Sequence, residues 1–360
     1  MTDTNEATAD AFGQRLFEAV LGAMDMWSIY LGEKLGYYGA LASGDSLNKD
    51  DLASATGTNP RYTCEWLEQQ AVTGILTVDD AGLPPAERRY SLPAGPAEVL
   101  TDRDSLNYLA PLGRLVTAGG IQMPALIDAY RTGGGVSWEQ YGPDMRTGQA
   151  EMNRPWFLSA LGSDWFPAVP DLNTRLQGGG RVADIGCGEG WSSISIAAAY
   201  PDVTVDAFDI DEASIVAARS HAEAAGLADR VTFHCADAGT LNLDGTFDVV
   251  TAFECIHDLP DPVGVLGTMR DLAKADGHVV VMDERVGERF EGRGDDIERV
   301  MYGFSLFVCL PDGMSHPASA ATGTVMRPET LRDYARQAGF DDIEVLPIEA
   351  DFWRFYRLVL

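Results

Sequence analysis

The second half of the chain alternates short apolar runs with segments of helical periodicity. A strand that is covered on both faces carries few polar residues, so these apolar runs predict buried strands. The runs lie at residues 182–185, 203–208, 231–235, 247–253 and 278–283. Alternating strands and helices predict a parallel sheet with helices on both faces. Two later apolar runs, 343–346 and 352–360, predict further strands.

Apolar positions in the first part of the chain recur at helical spacing. They predict one or two long helices over 11–41 and a short helix over 46–55. Asn59 and Pro60 open a further helix, because Asn caps helix starts and Pro fits the first turn. Two short apolar runs then flank a turn rich in Gly and Pro and predict a two-stranded wing.

These patterns divide the chain into three predicted regions. The helices and wing form an all-α/winged-helix domain over residues 1–100. Residues 101–175 form a helical connector, rich in aromatic side chains, that serves as a substrate lid. Residues 176–360 form the α/β sheet domain, with a second lid insertion at about 287–324. Long insertions at the carboxyl ends of parallel strands commonly shape a substrate site.

Composition restricts the class of partner. The 360 residues carry a formal net charge of -29, which disfavours binding to nucleic acid or to an anionic membrane. No apolar run is long enough to span a membrane, and the acidic start of the chain lacks a secretion signal. Five scattered cysteines without a C-x-x-C pair favour a reducing cytoplasm over a disulfide framework. We therefore expect a cytoplasmic protein that acts on a small molecule.

A glycine turn between the first strand and the next helix carries the main chemical signal. The turn contains Gly186, Gly188 and Gly190, and an acid, Asp209, ends the following apolar run. Glycines allow a tight turn close to a ligand, and the acid is placed to accept hydrogen bonds from ribose hydroxyls. Trp191 stands where a dinucleotide fingerprint requires its third glycine. The pattern predicts an enzyme with a nucleotide-type cofactor other than a dinucleotide.

The segment D-I-G-C-G-E-G, with the strands that follow it, resembles class I S-adenosylmethionine-dependent methyltransferases. The resemblance implies a Rossmann-like seven-stranded methyltransferase sheet and S-adenosylmethionine as cofactor. It places Asp184 and the three loop glycines at the methionine end of the cofactor and Asp209, with Ile210 beside it, at the ribose. It assigns Asp237 and Ala238 to the adenine, and it implies that Phe253 approaches the cofactor from the end of the fourth strand. It also implies that the two last apolar runs form the antiparallel hairpin that finishes the sheet.

The N-terminal region is similar to the winged-helix domain of small-molecule O-methyltransferases, where this domain serves dimerisation. The resemblance implies a homodimer, and Trp27, Tyr30, Leu31 and Tyr37 are suited to its interface. A different class of protein, a cofactor-sensing transcriptional regulator, could use the same winged helix to bind DNA. Acidic residues outnumber basic ones here, which favours the enzyme.

His257 is the candidate catalytic residue, because it follows the fourth strand in the sequence His257-Asp258-Leu259-Pro260-Asp261. This segment is similar to the H-D-x-x-D stretch of plant-type O-methyltransferases, whose histidine is a general base. Glu284, just past the fifth strand, is the expected partner that fixes the tautomer of His257. The alternative is that His257 only caps the strand.

His257 and Asp258 also resemble part of an iron site in a small group of bacterial methyltransferases that methylate the carbon beside a keto group. A metal there would bind an α-keto acid and stabilise its enolate. Those relatives take a second histidine from a stretch like 305–311, where this chain has Val308. Cys309 or His316 would have to replace it, so the sequence favours O-methylation without a metal.

Overall fold

The computed structural model describes residues 8–241 and 245–360. The terminal segment 1–7, whose polar sequence underlies the expectation of no secretion signal, lies outside the described residues. The chain forms two compact units, residues 1–117 and 118–360. Residues 118–175 therefore belong to the unit that holds the large sheet, whereas the division at residues 100 and 175 stays a prediction. None of the described helices has the length and apolar character needed to cross a membrane.

The first unit is helical with a small wing. Its elements are helices α1 (Ala9–Lys34), α2 (Tyr37–Leu41), α3 (Lys49–Thr56), α4 (Pro60–Val72) and α5 (Ala94–Thr101), and strands β1 (Thr77–Val78) and β2 (Tyr90–Ser91). Strands β1 and β2 pair antiparallel, and Leu47 bridges to Tyr90. Asn48 and Asn59 cap α3 and α4 with their side chains, as N-cap asparagines do. The predicted helices and wing are confirmed.

Two arginines near α4, the helix that would enter DNA in a winged-helix regulator, are paired with glutamates. Arg61 pairs with Glu65 along the helix, and Arg88 of the wing pairs with Glu68 at 2.6 Å. Cations held by carboxylates contribute little to phosphate neutralisation. This surface therefore disfavours the DNA-binding alternative.

Helix α6 (Pro111–Ile121) crosses from the first unit to the second, which contains the other elements. Its helices are α7 (Met123–Thr132), α8 (Trp138–Trp156), α9 (Pro170–Gln177), α10 (Trp191–Ala199), α11 (Glu212–Ala224), α12 (Pro262–Leu272), α13 (Asp296–Phe304), α14 (Leu310–Gly313) and α15 (Pro328–Gln337). A π-helical segment, Phe157–Trp165, follows α8, and another, Ser305–Cys309, joins α13 to α14. A short 3₁₀ turn spans Ala238–Thr240.

The sheet of the second unit has seven strands in the order β5-β4-β3-β6-β7-β9-β8. They are β3 (Gly180–Ile185), β4 (Val203–Asp209), β5 (Val231–Cys235), β6 (Phe247–Phe253), β7 (Ala273–Glu284), β8 (Asp342–Val345) and β9 (Trp353–Val359). Strands β3 to β7 are parallel, and β9 pairs antiparallel with both β7 and β8. The predicted parallel sheet with its closing hairpin is confirmed.

Two apolar cores lie on the two faces of this sheet. One contains side chains of α9, α10 and α11, and the other contains side chains of α12 and α15. Strand β6 is buried along its whole length, which explains its uninterrupted apolar sequence. The strand order reverses beside β3, so a crevice opens at the carboxyl ends of β3, β4 and β6, where open α/β sheets bind their ligands.

Candidate active site

The loop after β3 requires glycines for two reasons, the conformation of its backbone and the close packing around it. Gly186, Gly188 and Gly190 all have positive φ angles, of 68°, 51° and 85°. A Cβ atom on Gly186 would come within 2.7 Å of the Cys255 sulfur, and one on Gly190 within 2.6 Å of the Phe233 ring. A Cβ on Gly188 would meet nothing within 4 Å. Gly188 therefore presents its backbone to open space, as a loop that cradles a ligand must.

Asp184 lies behind this loop rather than on its open side. Its side chain is fully buried and accepts hydrogen bonds from the hydroxyls of Ser192, Ser193 and Thr251 at 2.6, 2.6 and 2.9 Å. These bonds tie the end of β3 to the start of α10 and to β6. This placement differs from the expectation that Asp184 lines the methionine end of the cofactor, because a buried carboxylate with three donors braces the loop from within.

Asp209 connects the loop to the end of β4. One carboxylate oxygen accepts from the Gly188 N–H and the other from the Asp211 N–H, both at 2.8 Å. Burial raises the pKa of Asp209 above its usual value against these donors. A carboxylate has about four acceptor positions, so the bonds leave room for ribose hydroxyls. Ile210, the next residue after the end of β4, is 70% exposed.

Asp237 and Ala238 follow β5, the edge strand on this side of the sheet. The Asp237 side chain is exposed and accepts from the Gly239 N–H at 2.9 Å, which caps the 3₁₀ turn. Ala238 is half-buried in that turn. Since β5, β4 and β3 are neighbours, Asp237, Asp209 and the glycine loop follow one edge in the order that the sequence predicted.

Helix α8 spans this edge. Arg146 binds Asp211 at 2.7 Å, beyond the end of β4, and Asn153 donates to Glu254, beyond the end of β6. Strand β3 lies between β4 and β6, so α8 crosses the end of β3. The sequence predicted a helical connector rich in aromatic side chains in this region. It did not predict these two polar contacts, because each joins residues that are distant in sequence.

Trp191, the residue that breaks the dinucleotide fingerprint, starts α10 beside the loop. The His221 ring stacks on the indole with centroids 4.3 Å apart, and the Arg154 guanidinium lies 4.9 Å from its ring centre. His221 and Arg154 thus pack against the first residue of α10.

His257 lies in the turn after β6 and is only 3% exposed. Its Nδ1 is 2.7 Å from Asp283 Oδ1, and its Nε2 is 3.3 Å from Asp258 Oδ1. Burial by itself would lower the pKa of His257, but the negative charges of Asp258 and Asp283 outweigh it and hold the pKa well above its usual value. The arrangement leaves Nε2 as the atom that can exchange a proton.

The expectation that Glu284 is the partner of His257 is wrong, because the partner is the preceding residue, Asp283. Successive side chains of a strand point to opposite faces, so only one of Asp283 and Glu284 can face His257. Asp283 does so, and Glu284 lies instead beside Glu254, whose charge helps burial to raise the pKa of Glu284 well above its usual value.

Glu254 is a site residue that the sequence did not single out. It has a φ of 50°, in the left-handed region that side chains other than glycine rarely adopt. Its two carboxylate oxygens accept from Trp353 Nε1 and Asn153 Nδ2. Burial raises the pKa of Glu254 to about 7 despite these donors. Strained residues that the surroundings hold in place commonly mark functional sites.

Cys309 ends the π-helical segment of the lid insertion and lies beside His257 and Asp258. One ligand atom from each of the three residues lies within 4.8 Å of the others. Burial raises the pKa of the Cys309 thiol to about 12. Asp258 Oδ1 is buried without a hydrogen bond. Of the two sequence candidates for a third ligand, the structure brings Cys309 and not His316 into this group.

Comparison with known proteins agrees with this geometry. A family model described as a methyltransferase domain matches residues 176–303, and one described as an Rv2258c-like winged HTH domain matches residues 23–102. A ubiquinone biosynthesis O-methyltransferase of Aromatoleum aromaticum is 31% identical over 191 residues, which cover 52% of this chain and 74% of that protein. The chain belongs to the class I S-adenosylmethionine-dependent methyltransferases.

Other relatives place this methyltransferase among enzymes with the same fold. A 27-O-demethylrifamycin SV methyltransferase of Amycolatopsis mediterranei is 33% identical over 165 residues, or 45% of this chain and 59% of that one. The mitomycin 7-O-methyltransferase MmcR has a TM-score of 0.73 at 21% identity, covering 98% of this chain and 99% of that one. Human N-acetylserotonin methyltransferase, solved with its cofactor, has a TM-score of 0.72 at 18% identity, covering 98% and 99%. The winged-helix methyltransferase fold is confirmed over nearly the whole chain.

Proposed function

We propose that the methyltransferase transfers a methyl group to a hydroxyl of a small-molecule acceptor, with His257 as general base. The observation that carries this proposal is the buried pair of His257 and Asp283 at the carboxyl ends of β6 and β7. The Nδ1–H of the ring donates to Asp283, which fixes the tautomer and leaves Nε2 free to accept a proton. A strand cap needs no such partner on the neighbouring strand.

In the proposed reaction the acceptor oxygen forms a bond to the methyl carbon as its proton moves to His257 Nε2. The bond between that carbon and the sulfonium sulfur breaks, and its electron pair stays on sulfur. Asp283 stabilises the imidazolium that results. S-adenosylmethionine supplies the electrophilic methyl group, and the Gly188 backbone, Asp209 and Asp237 are the proposed contacts that orient it. The remaining step, return of the proton from His257 to solvent, restores the base.

We expect the acidic limb of the pH profile of kcat/KM to lie above pH 6.5. A base must be unprotonated to act, so the rate falls as the pH drops below the pKa of His257, which Asp258 and Asp283 raise. Asp258→Asn removes one of these charges and should move the limb to lower pH. Initial rates from pH 5.5 to 9.5 measure both, and a limb that Asp258→Asn leaves in place would contradict the role of His257.

A homodimer built through α1 is the expected assembly. One side of this helix is apolar and exposed, with relative exposures between 44% and 59% at Phe12, Leu16, Phe17, Val20, Leu21, Met24, Trp27 and Leu31. Exposed apolar stripes of this size commonly mark interfaces. Tyr37, by contrast, is 1% exposed and stacks on Trp66 in the core of its own unit, so it cannot belong to the interface as predicted.

Light scattering on the full chain tests the dimer. Met24→Glu places a charge in the middle of the exposed stripe and should produce monomers at micromolar concentration, because burying an unpaired charge is costly. Gly22→Glu adds the same charge on the opposite side of α1, where a Cβ would meet nothing within 4 Å, and should leave the dimer intact. A monomeric wild type, or equal effects of the two substitutions, counts against this interface.

C-methylation of an α-keto acid at a metal centre is the second candidate function, and the grouping of His257, Asp258 and Cys309 is the observation in its favour. The donor set fits a metal: Asp258 Oδ1 has no hydrogen bond, and Asp283 orients His257 as carboxylates orient metal-binding histidines. Nitrogen, sulfur and oxygen ligands together suit zinc or iron better than magnesium. A bound metal would act as a Lewis acid on the keto group.

Elemental analysis of protein purified without an affinity tag distinguishes the two candidates. Under metal-free O-methylation we expect less than about 0.1 metal ion per chain and an active Cys309→Ser variant, since a general base needs no thiol. Stoichiometric zinc or iron that is lost from both His257→Ala and Cys309→Ser would instead establish the metal site.

A further inference from the structure

The carboxyl ends of β6 and β7 carry an unbalanced negative charge. Four acids lie there with a single imidazole, His257; the acids are Glu254, Asp258, Asp283 and Glu284. The two arginines nearest in sequence to this group donate to the main chain: Arg285 to Ala350 and Arg354 to Val286. Within residues 8–241 and 245–360, no lysine or arginine forms an ion pair with any of the four acids. His257, whose pKa is raised, is thus the single cation that the described residues place among four carboxyl groups.

Several carboxylate oxygens of this group are buried without a hydrogen bond, namely Asp258 Oδ1, Asp283 Oδ2 and Glu284 Oε2. Within the described residues the Glu284 side chain makes no hydrogen bond, whereas Asp283 holds His257 and Asp258 lies 3.3 Å from it. Glu284 is only 7% exposed. A buried carboxylate oxygen without a donor is costly, so such groups are usually satisfied by a ligand.

The neighbouring Glu254 is held in place at the cost of backbone strain. Its positive φ angle persists because Trp353 of β9 and Asn153 of α8 both donate to its carboxylate. Two elements from opposite sides thus fix one carboxyl group next to another, Glu284. Burial raises the pKa of both groups, the charge of Glu254 adds to the shift of Glu284, and a bound cation would relieve this repulsion.

Aromatic rings border the same place. The Trp353 indole that donates to Glu254 packs edge-to-face against Trp156 and Trp165, with ring centroids 5.5 and 5.6 Å apart. Trp353 and Trp165 are buried, so the half-buried Trp156 is the ring of the three that a ligand can reach. Indole rings attract organic cations, and carboxylates beside them add direct charge pairing. This combination favours an organic ammonium group over a hydrated metal ion at the Glu254–Glu284 pair.

We propose that Glu254 and Glu284 bind an ammonium group of the methyl acceptor, so that the acceptor is a hydroxylated compound with a basic nitrogen. This inference rests on the proposed O-methylation, because that reaction is what makes the bound ammonium compound the methyl acceptor. It excludes anionic acceptors from the metal-free site, because their carboxylate would face four acids. The other source of an ammonium group, the methionine end of the cofactor, is an outcome that the test below separates.

Calorimetry with a charge-reversed pair of probes tests the site. Phenethylammonium and phenylpropionate have similar size and shape but opposite charge, and each is titrated into the enzyme saturated with S-adenosylhomocysteine. We expect the wild type to bind the ammonium probe at least about tenfold more tightly than the carboxylate probe. Glu284→Gln keeps the shape and removes the charge, and should reduce this preference below about threefold. Glu288→Gln, an exposed position in the same connecting segment, should keep it.

The affinity for S-adenosylhomocysteine, measured on all three proteins, is the control for folding and for the source of the ammonium group. It should be equal in all three. A Glu284→Gln variant that loses cofactor affinity assigns the pair to the cofactor and overturns the proposal. So does a wild type that binds neither probe or both equally, or a preference that survives Glu284→Gln.

Methyl transfer to tyramine and to hydroxyphenylpropionate, the hydroxylated forms of the two probes, is measured separately by mass spectrometry. Methylated tyramine supports both proposals. If tyramine binds with the expected charge preference but is never methylated at oxygen, the result counts against O-methylation and leaves the ammonium site in place.

Discussion

Replacing His257 by alanine should lower the turnover of methyl transfer by roughly 10²–10⁴-fold and leave cofactor affinity nearly unchanged. The loss follows because Nδ1 is bonded to Asp283, so Nε2, which lies 3.3 Å from Asp258 Oδ1, is the ring atom that can take the proton of the acceptor. Asp283→Asn should cost a substantial part of the same factor, because an amide neither fixes the tautomer nor stabilises the imidazolium.

Single-turnover kinetics, with S-adenosylhomocysteine binding measured in parallel, give both quantities. His278→Ala is the matched control, since His278 starts the paired part of β7 and aligns with Val249 at the opposite end of the sheet. A loss smaller than tenfold for His257→Ala with a genuine acceptor would show that His257 only caps its strand. Proximity of the two substrates would then account for the rate.

Removing the Asp209 carboxylate should weaken S-adenosylmethionine binding at least tenfold. Each hydrogen bond to a charged acceptor contributes about 1.5–3 kcal/mol, and the carboxylate is placed for the ribose hydroxyls. The structure adds a second cause, because the same carboxylate holds the N–H groups of Gly188 and Asp211. Asp209→Ala therefore loosens the glycine loop as well as removing ligand contacts.

Isothermal calorimetry with the cofactor measures this loss. Asp206→Asn is the control, because Asp206 lies on the same strand but binds Arg181 and His234. Its affinity should match the wild type within about threefold, since the substitution touches no predicted cofactor contact. Unchanged affinity in Asp209→Ala would mean that the ribose is bound elsewhere.

The sheet could be predicted from sequence because its signal is local. Strands β5 and β6 begin and end at the predicted residues. Strand β6 is apolar because it is buried on both faces, and β5, at the edge of the sheet, has buried residues at alternate positions. Strand β7 is longer than predicted: it starts at Ala273, in a polar stretch that pairs only at Phe247 before the register shifts. Apolar patterning marks the buried part of a strand, not its exposed end.

At the site, the prediction from the sequence is wrong by one residue for the partner of His257, and it does not single out Glu254. Glu284 resembles its family counterpart in type and position, but strand alternation gives the contact with His257 to Asp283. Glu254 could not be recognised, because its donors, Asn153 and Trp353, are about a hundred residues away on either side. Cys309 was already a candidate from the sequence, and it reaches His257 and Asp258 from the π-helical segment of the lid insertion.

The crossing of β3 by α8 has a consequence for the catalytic cycle. Helix α8 contacts Asp211 through Arg146 and Glu254 through Asn153, so it covers the carboxyl end of β3 and is attached on both sides of it. The helix is irregular at two places, at Gly142, which has non-helical backbone angles, and at the π-helical segment Phe157–Trp165 that follows it. These are the places at which it can bend. We expect S-adenosylhomocysteine to leave only after both contacts break. Turnover under saturating conditions should then be set by product escape rather than by bond making, and should fall as solvent viscosity rises.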